Sequence, residues 1–546
     1  MNNQNFIYLQ QIHKCPTEGG ILRTHDIVIT ADESNMLNHQ LSFLAGFLSC
    51  VPRDKIPAPF RRYVERKLFA QPHSDDGIAK LAILPLRRLE SALLEKGFDA
   101  VICVPKDVEK FKAKVWAVSA MDPFGIGPAS STMAGLSGGR EPYNKWYFER
   151  LMRRIRTNNP NAKILVGGSG AWEFDVFPTE LKRLGIDCVV QGEVENIIED
   201  LFRRALDGGL PEKVVGGPAE RIPTMRGPCY WGMTEIGRGC DRMCQFCDPS
   251  MKEFRWFSYE QIAAEAQINA KSPLTDQICL LSEDVLRYGT KVGEWVPNEK
   301  VVKLIKIVNQ IAKQNRKPIA FTHATIAAAA SAPDIIKQIA EELKLEGNNY
   351  SGFQVGLETG SSRLIEKYMR NKARPWQPEQ WPEVVERGFA AMAENNFIPI
   401  ATLVMGCADE TDEDVIKTIE LVERLRNYPS MVVPLFFVPL GVLQEKRAFE
   451  RKQLTDARKD LFVVCAQHTA RWSKKFAEWA GGVSEIDKFI LYAGCTYIFE
   501  ALKALKRKNE KISKMEFFGI LLRESASYFF NQKIISKLKA NKRSKP

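Results

Sequence analysis

Gly239-Cys240-Asp241-Arg242-Met243-Cys244-Gln245-Phe246-Cys247 is the stretch that decides how the rest of the chain is interpreted. Its cysteines stand at Cys-x3-Cys-x2-Cys spacing, shortly after a strand-like segment at residues 233–236. Thiolates this close in sequence suit one tight loop around a single metal centre, and they favour an iron–sulfur cluster or zinc. A four-iron cluster held by three cysteines leaves one iron open to a substrate or cosubstrate.

Two other interpretations compete with the cluster: a structural zinc loop and three unconnected core cysteines. Structural zinc normally takes four protein ligands. The obvious fourth candidates, Cys229 and Asp248, stand at no familiar spacing from the motif. The sequence therefore favours a [4Fe–4S] cluster held by Cys240, Cys244 and Cys247.

This motif resembles that of the radical S-adenosylmethionine (SAM) superfamily. The resemblance implies that the open iron binds the methionine part of SAM and that one electron cleaves SAM to a 5'-deoxyadenosyl radical. It also implies an external electron donor, such as ferredoxin or flavodoxin.

The composition is that of a globular protein with several domains. The chain has 546 residues, of which 45% are hydrophobic and 26% charged, enough for roughly three or four domains. Residues 1–10 contain neither a basic region nor an apolar core, and the longest uncharged apolar candidate, residues 428–444, contains three prolines. The 12 cysteines show no paired spacing outside the motif. We therefore expect a cytoplasmic protein without a transmembrane helix.

The positive charge is concentrated at the C-terminal end. The chain carries a formal charge of +11, and residues 441–546 contain 23 Lys and Arg against 11 Asp and Glu. Apolar and aromatic segments at residues 489–499 and 517–530 are each followed by lysines. Such segments suit a helix on an anionic membrane surface, and a helical cap with a solvated basic tail is the alternative. We expect residues 442–546 to form a basic helical domain, without a nucleic-acid partner.

Residues 1–90 show no recognisable chemistry. A strand is predicted at residues 26–30, followed by apolar and proline-rich stretches. His13, Cys15 and His25 have the side chains of a metal site, but isolated histidines near a strand are more often surface or packed residues. This region is left without an assigned role.

Residues 91–225 are predicted to form a Rossmann-like domain. Short buried strands are expected at residues 100–104, 115–119, 164–168 and 188–192, with helices at residues 148–157 and 195–205. This alternation gives a parallel sheet whose ligands bind beyond the carboxyl ends of its strands. Glycine- and serine-rich loops stand at those ends, at residues 122–132, 167–172 and 192–195.

The three loops and their order before the cysteine motif resemble the cobalamin-binding domain of cobalamin-dependent radical SAM enzymes. The resemblance implies cobalamin contacts from Asp122, Gly125, Ser130, Gly168, Ser169, Gly192 and Glu193. The Asp-x-His-x-x-Gly motif of other cobalamin proteins is absent, and no histidine lies between His73 and His323. A cobalt ligand from this domain is therefore not a histidine. A Rossmann-like domain that has lost its cofactor is the alternative.

Residues 226–441 continue the alternation and are predicted to form a partial (β/α)6 barrel. Strands are expected at residues 233–236, 277–281, 318–322, 352–357, 399–405 and 431–438. Helices are expected between them, including residues 259–269, 301–314, 333–343 and 412–426. The working residues of such a barrel lie at the carboxyl ends of its strands, and the whole segment resembles a radical SAM core.

The resemblance implies SAM contacts from Ser282, Glu283, Glu358, Ser361, Arg363 and Glu410. Glu283 stands where the family binds the amino group of SAM, and a carboxylate there would hold the ammonium beside the cluster. Arg363 is the candidate partner of the SAM carboxylate. Glu410 lies in a turn that resembles the one framing the adenine, although residues 407–409 replace the usual ones. Helix capping is the alternative role of each carboxylate.

His323 ends the third predicted strand of the barrel and points toward the same cavity. A histidine there can move a proton or bind the substrate. His323 is therefore the candidate catalytic residue, and a packed histidine is the alternative.

The sequence thus predicts a radical SAM enzyme that abstracts hydrogen from an unactivated carbon and forms a carbon–carbon bond. The architecture resembles that of archaeal tetraether-lipid ring synthases, so we expect an archaeal membrane lipid as substrate and a peripheral location at the membrane. The alternative is cobalamin-dependent C-methylation of a protein side chain, as in the enzymes that methylate methyl-coenzyme M reductase. A non-catalytic cluster or RNA-binding protein is the alternative from another class.

Overall fold

The computed structural model of the protein describes residues 22–37, 47–56, 58–67, 69, 74 and 76–479. This part contains two parallel sheet systems in succession along the chain, each flanked by helices, and a long helix after the second. His13, Cys15 and the basic, aromatic segments after residue 480 lie outside the described residues. Within those ranges, no helix is both long and apolar enough to span a bilayer.

The first sheet has six parallel strands and forms the Rossmann-like domain. The strands are β1 (Arg23–Ala31), β2 (Ala100–Ile102), β3 (Phe111–Ser119), β4 (Lys163–Gly167), β5 (Cys188–Gln191) and β6 (Lys213–Val215). Their order is β2-β1-β3-β4-β5-β6. The helices are α1 (Ala58–Lys67), α2 (Leu84–Glu95), α3 (Pro128–Ser137), α4 (Tyr143–Asn158), α5 (Glu173–Val176), α6 (Glu180–Leu184) and α7 (Ile198–Asp207).

The strand predicted at residues 26–30 belongs to this sheet. It lies in β1 between β2 and β3, where Ile29 pairs with Ile102 and with Ala117. The sheet therefore begins near residue 23, and the domain boundary predicted at residue 91 falls inside it. Residues 27–29 are fully buried, because helices cover both faces of a parallel sheet, and this explains their uninterrupted apolar run.

The second sheet system forms the barrel. Its strands are β7 (Met233–Glu235), β10 (Ile278–Leu281), β11 (Ile319–Phe321), β12 (His323–Ala324), β13 (Ser351–Glu358), β14 (Phe397–Met405) and β15 (Met431–Phe436). A short antiparallel hairpin of β8 (Gly237–Arg238) and β9 (Arg255–Trp256) follows β7. The parallel strands pair as β7-β10-β11 and as β12-β13-β14-β15.

Thr322 joins these two groups into one arc. Its amide donates to the carbonyl of Leu280 at 3.0 Å, and its carbonyl accepts from the amide of Gln354 at 2.7 Å. The segments β11 and β12 are therefore two halves of one strand that changes neighbours at Thr322. The arc has six strand positions, as predicted for a partial (β/α)6 barrel.

Helices cover the outside of this arc, four of them at the positions expected from the sequence. They are α8 (Tyr259–Lys271), α9 (Glu299–Gln314), α10 (Ile326–Ser331), α11 (Pro333–Leu343), α12 (Ser362–Met369), α13 (Trp381–Glu394) and α14 (Asp412–Arg424). The longest helix, α15 (Asp456–Trp479), lies in the predicted C-terminal region. It packs on the last strand, where His468 Nε2 and Ser430 Oγ are hydrogen-bonded at 2.7 Å.

The two domains contact each other directly. The amide of Phe436, at the end of β15, donates to Thr132 Oγ1 in α3 at 2.7 Å. Arg88 of α2 is buried and bonds Glu235 of β7 at 3.1 Å and Glu265 of α8 at 2.9 Å. Elements of the first domain thus contact both the first and the last strand of the barrel.

Candidate active site

The cluster loop, residues 239–247, leaves the barrel directly after β8. Gly239 has a φ of +74°, and a Cβ there would collide with the Glu253 carbonyl, so the turn requires glycine. Cys244 is buried, whereas Cys240 and Cys247 are half-buried. The loop therefore presents its three thiols in a partly enclosed position at the carboxyl end of the barrel.

The three thiols influence one another electrostatically. Burial raises the pKa of Cys240 to about 11 and that of Cys247 to about 12, and the charge of Cys244 adds to both shifts. Metal ligation needs thiolates, so cluster assembly would replace these protons. In the described part of the chain, no three His, Cys, Asp or Glu side chains converge on a single ion. A four-iron cluster instead binds each thiolate at a separate iron atom.

Two charged residues between the cysteines anchor the loop. The Asp241 carboxylate accepts from Arg287 Nη1 at 2.5 Å and Nη2 at 2.9 Å, and from the Gly293 amide at 2.9 Å. Arg242 extends to the other side and donates to Thr325 Oγ1 at 2.8 Å. Because both side chains are buried, the loop is fixed between the segments after β10 and β12. The sequence analysis did not identify these anchors.

The structure brings two of the predicted SAM residues, Glu283 and Glu358, within electrostatic range of the cluster cysteines. Glu283 interacts electrostatically with Cys247, and Glu358 does so with Cys244. Glu358 has a φ of +65° and is ion-paired with the buried Lys372 at 2.7 Å. Ser282 is buried, and its hydroxyl has no hydrogen-bond partner among the described residues. These groups suit a zwitterionic ligand that lies against the cluster.

The other three predicted SAM residues have partners within the protein. Ser361 Oγ and Arg363 Nη2 both bond Asp414, each at 2.5 Å. Hydrogen bonds and the positive charge of Arg363 hold the pKa of Asp414 well below its usual range, although burial opposes the shift. Glu410 accepts from Arg458 Nε at 3.0 Å. Their contacts with SAM stay predictions.

Asp414 is a central residue of this region that the sequence analysis did not single out. Its carboxylate accepts from the Thr411 amide at 2.9 Å, and Thr411 Oγ1 accepts from the Asp414 amide at 3.4 Å. These reciprocal bonds form a capping box at the start of α14. The spacing Thr411-x-x-Asp414 was the available signal.

His323 lies at the start of β12, in register with Gln354 of β13. Alternating burial along β13 leaves Gln354 on the more open face of the sheet. The Nδ1 atom of His323 is buried and has no hydrogen-bond partner among the residues described. An unpaired imidazole nitrogen at this position is available for a bound molecule.

The predicted cobalamin loop after β3 is fixed by Asp122. Its carboxylate accepts from the Gly127 amide at 3.0 Å, from Ser130 Oγ at 2.5 Å and from Asn144 Nδ2 at 2.6 Å. Asp122 and Ser130 are buried, so they support the loop from the interior of the domain. Gly125, with a φ of +70°, allows its turn. Their contact with cobalamin stays a prediction.

Glu173 lies next to Asp122 and has no recognisable sequence signal. It is fully buried, and Oε2 accepts from the Phe124 amide at 2.7 Å. Burial raises the pKa of Glu173 to about 11, and the neighbouring charge of Asp122 adds to the shift. Glu173 is therefore protonated near neutral pH.

The loops after β4 and β1 complete the carboxyl edge. Ser169 is exposed, and Gly168, with a φ of +98°, approaches the Ala120 backbone so closely that a side chain is excluded. The strand order changes direction between β1 and β3, the position where open α/β sheets bind ligands. Asp32 follows β1 there and accepts from the Ser34 amide at 2.8 Å. Burial raises the pKa of Asp32 to about 6.

Glu193, after β5, links this edge to the cluster loop. Its carboxylate pairs with Arg255 and, at 2.7 Å, with Arg238. These arginines face each other across the β8–β9 hairpin, which encloses the cluster loop. Gly192 has a φ of +78° and makes the preceding turn. Glu193 was predicted to contact cobalamin; the structure gives it a bridging role between the domains.

A comparison with protein families supports the interpretation of the barrel. The family described as the radical SAM superfamily matches residues 234–422. This range includes the three cysteines, the strands from β10 to β14 and most of β7. Residues 234–422 therefore form a radical SAM domain, and its cofactors are a [4Fe–4S] cluster and SAM.

Curated relatives match the chain only in part. A tRNA-2-methylthio-N(6)-dimethylallyladenosine synthase of Syntrophomonas wolfei is 26% identical over 282 residues, which are 50% of this chain and 58% of the relative. The threonylcarbamoyladenosine tRNA methylthiotransferase MtaB of Thermotoga maritima is 20% identical over 346 residues, 61% of this chain and 74% of that protein. The chain thus spans just over half the length of the first relative.

A solved structure resembles the larger part of the chain. The radical SAM methyltransferase TsrM from Kitasatospora setae, solved with cobalamin and a [4Fe–4S] cluster, superimposes with a TM-score of 0.50 and 12% sequence identity. The match covers 77% of this chain and 74% of TsrM. At this identity the likeness concerns the fold, a Rossmann-like domain followed by a radical SAM barrel.

Proposed function

Because residues 234–422 form a radical SAM domain, we propose that the protein is a cobalamin-dependent radical SAM enzyme that forms a carbon–carbon bond, most simply by transferring a methyl group. The observation that carries this proposal is that the carboxyl end of the Rossmann-like sheet contacts the carboxyl end of the barrel. Glu193 pairs with Arg238 two residues before Cys240, and Thr132 bonds the end of β15. A cofactor on the Rossmann-like edge would therefore lie opposite the cluster loop.

Residues at the two edges would bind different cofactors. Cys240, Cys244 and Cys247 would hold the cluster, and Glu283 would bind the SAM ammonium. Gly168 and Ser169 would lie along the corrin. When bound, the cluster and SAM supply radical chemistry, and cobalamin supplies methyl-group chemistry.

His323 is the residue proposed to contact the substrate. Its unpaired Nδ1 is buried at the carboxyl end of the barrel, where it can accept a proton from, or donate one to, a polar atom of the substrate. The surrounding strands exclude bulk water from this atom, which strengthens any hydrogen bond it makes.

For the substrate we propose an archaeal membrane lipid. The support is the composition of the C-terminal region, in which aromatic segments alternate with lysines. A basic, aromatic surface suits anionic headgroups. The names of the curated relatives, tRNA methylthiotransferases, make tRNA the alternative substrate to include in any assay.

The test uses the full chain, purified anaerobically and reconstituted with iron, sulfide and cobalamin. It is incubated with SAM, a reductant and either archaeal lipid extract or tRNA, and 5'-deoxyadenosine and S-adenosylhomocysteine are quantified. Matched amounts of both products would support radical methylation. Lipid-dependent 5'-deoxyadenosine alone would support coupling on lipid without methyl transfer. Equal background in the wild type and in Cys244→Ala would contradict the proposal.

A further inference from the structure

Arg242 lies between two cluster cysteines and is 2% exposed. Its Nη atoms donate to the Thr325 hydroxyl and to three backbone carbonyls, those of Asn371 at 2.9 Å, Lys372 at 3.2 Å and Arg374 at 3.0 Å. None of these acceptors carries a full negative charge. The guanidinium is therefore well hydrogen-bonded through its two Nη atoms.

Two observations show what this side chain lacks. The Nε atom is buried and has no hydrogen-bond partner among the described residues, although buried donors are normally satisfied. The Asp284 carboxylate lies 3.7 Å from Nη2, and it already accepts from the Thr325 amide and hydroxyl. Arg242 thus has one donor, Nε, left for another partner.

Arg287 provides the contrast within the same region. It is fully buried too, but both of its Nη atoms bond the Asp241 carboxylate. Among the described residues, Arg242 therefore lacks the bidentate carboxylate partner that Arg287 has.

The available anion is at the cluster site. Arg242 stands two residues from both Cys240 and Cys244 in the cluster loop. A four-iron cluster with three thiolates carries net negative charge, and its sulfurs accept hydrogen bonds that tune its potential. The unpaired Nε of Arg242 thus belongs to the loop that would hold this anion.

We propose that Arg242 contacts the cluster, with Nε donating a hydrogen bond to one of its sulfur atoms and the guanidinium acting as the counter-charge of the reduced state. This inference rests on the cluster part of the proposed function. It adds a fourth cluster-binding side chain to the three cysteines.

The proposal fixes the sign of the effect on the reduction potential. Reduction adds one electron from an external reductant to the cluster and breaks no bond. The positive charge of Arg242 stabilises that added charge. Arg242→Gln should therefore shift the midpoint potential to a more negative value, and Asp284→Asn, which removes a negative charge from the same place, should shift it to a more positive value.

The experiment is a redox titration of the reconstituted full chain, followed by the electron paramagnetic resonance signal of the reduced cluster. Arg242→Gln, Arg242→Lys and Asp284→Asn are compared with the wild type. Arg370→Gln is the control, because its side chain is 59% exposed. Iron and sulfide content are measured in every sample.

The expected result is opposite shifts for Arg242→Gln and Asp284→Asn, a smaller shift for Arg242→Lys and none for Arg370→Gln. A purely structural role would not reverse the sign between the two sites. An unchanged potential in Arg242→Gln at full cluster content would overturn the proposal. If Arg242→Gln does not retain a cluster, the comparison is made with Asp284→Asn. A midpoint potential of Asp284→Asn that equals the wild-type value or is more negative would then overturn the proposal. Failure of the wild type to assemble any cluster would reject the proposed function as well.

Discussion

Lys372 and Glu358 show how single residues stabilise the region beside the cluster. Their side chains are each 9% exposed, and Nζ lies 2.7 Å from Oε1. Burial opposes the charge of Lys372, but the charge of Glu358 outweighs this effect and raises the pKa of Lys372 to about 12, so Lys372 is protonated at neutral pH. Removing either member of such a buried pair leaves the other charge unpaired and destabilises the protein.

Replacing Lys372 with Met should therefore destabilise the protein strongly. The carboxylate of Glu358 would remain buried without its partner, which costs about 3–5 kcal/mol of the free energy of unfolding. Urea unfolding checks this value. Lys417→Met is the control, since Lys417 forms an exposed pair with Glu413 and should leave the free energy of unfolding nearly unchanged. Similar effects in both variants would contradict the ion-pair account.

Glu173 predicts a pH dependence of stability. Its pKa is about 11 in the folded protein, whereas an unperturbed glutamate, which represents the unfolded chain, has a pKa of 4.5. Between these values the folded state keeps a proton that the unfolded state releases. Stability from this site is thus fully present below the lower value and falls as pH rises, by up to about 1.4 kcal/mol per pH unit.

Glu173→Gln should remove that dependence, because the amide stays neutral over the whole pH range. Urea unfolding between about pH 6 and about pH 8 should show a smaller decline in the free energy of unfolding than in the wild type. The exposed Glu199→Gln variant should retain the wild-type decline. An equal slope in all three proteins would show that Glu173 is ionised in the folded state.

At the scale of elements, the contact between α3 and β15 aligns the two domains. Gly135 of α3 lies so close to the Phe436 ring that a Cβ there would overlap it. The nearby bond from the Phe436 amide to Thr132 extends the same contact. The interface therefore requires a residue without a side chain on this face of α3.

Gly135→Val should separate α3 from β15. Overpacking at a well-packed contact costs about 1–3 kcal/mol, and limited proteolysis should then cleave the connection between the domains faster. Gly217→Val is the matched control, because no atom lies within 4 Å of the added Cβ. If the two variants resist protease and urea equally, the contact between α3 and β15 does not align the domains.

At the scale of the whole molecule, the sequence predicted the fold from strand periodicity and from one short motif. The six strand positions of the barrel and the Rossmann-like sheet are confirmed, because buried parallel strands appear as short apolar runs between helices. The role of β1 in the sheet was not predicted, since about 70 residues separate it from its neighbour β2.

The site was predictable only where local spacing encodes it. The cysteine motif needs no tertiary information, and Glu283 and Glu358 follow from strand ends. Glu173, Lys372 and the bridge from Glu193 to Arg238 join residues that are distant in sequence, and nothing local in the chain identifies their partners. The first two contacts each form within one domain and only the third joins the two domains, so all three depend on the tertiary fold.

Binding of hydroxocobalamin to the reconstituted full chain tests the central claim, that two cofactor edges face each other, most directly. The account predicts one equivalent of bound cobalamin in the wild type. It also predicts at least about tenfold weaker binding (about 1.4 kcal/mol) in Ser169→Trp, in which a large side chain replaces an exposed serine at the Rossmann-like edge. Absence of cobalamin binding in a wild-type protein with a complete cluster would contradict the account.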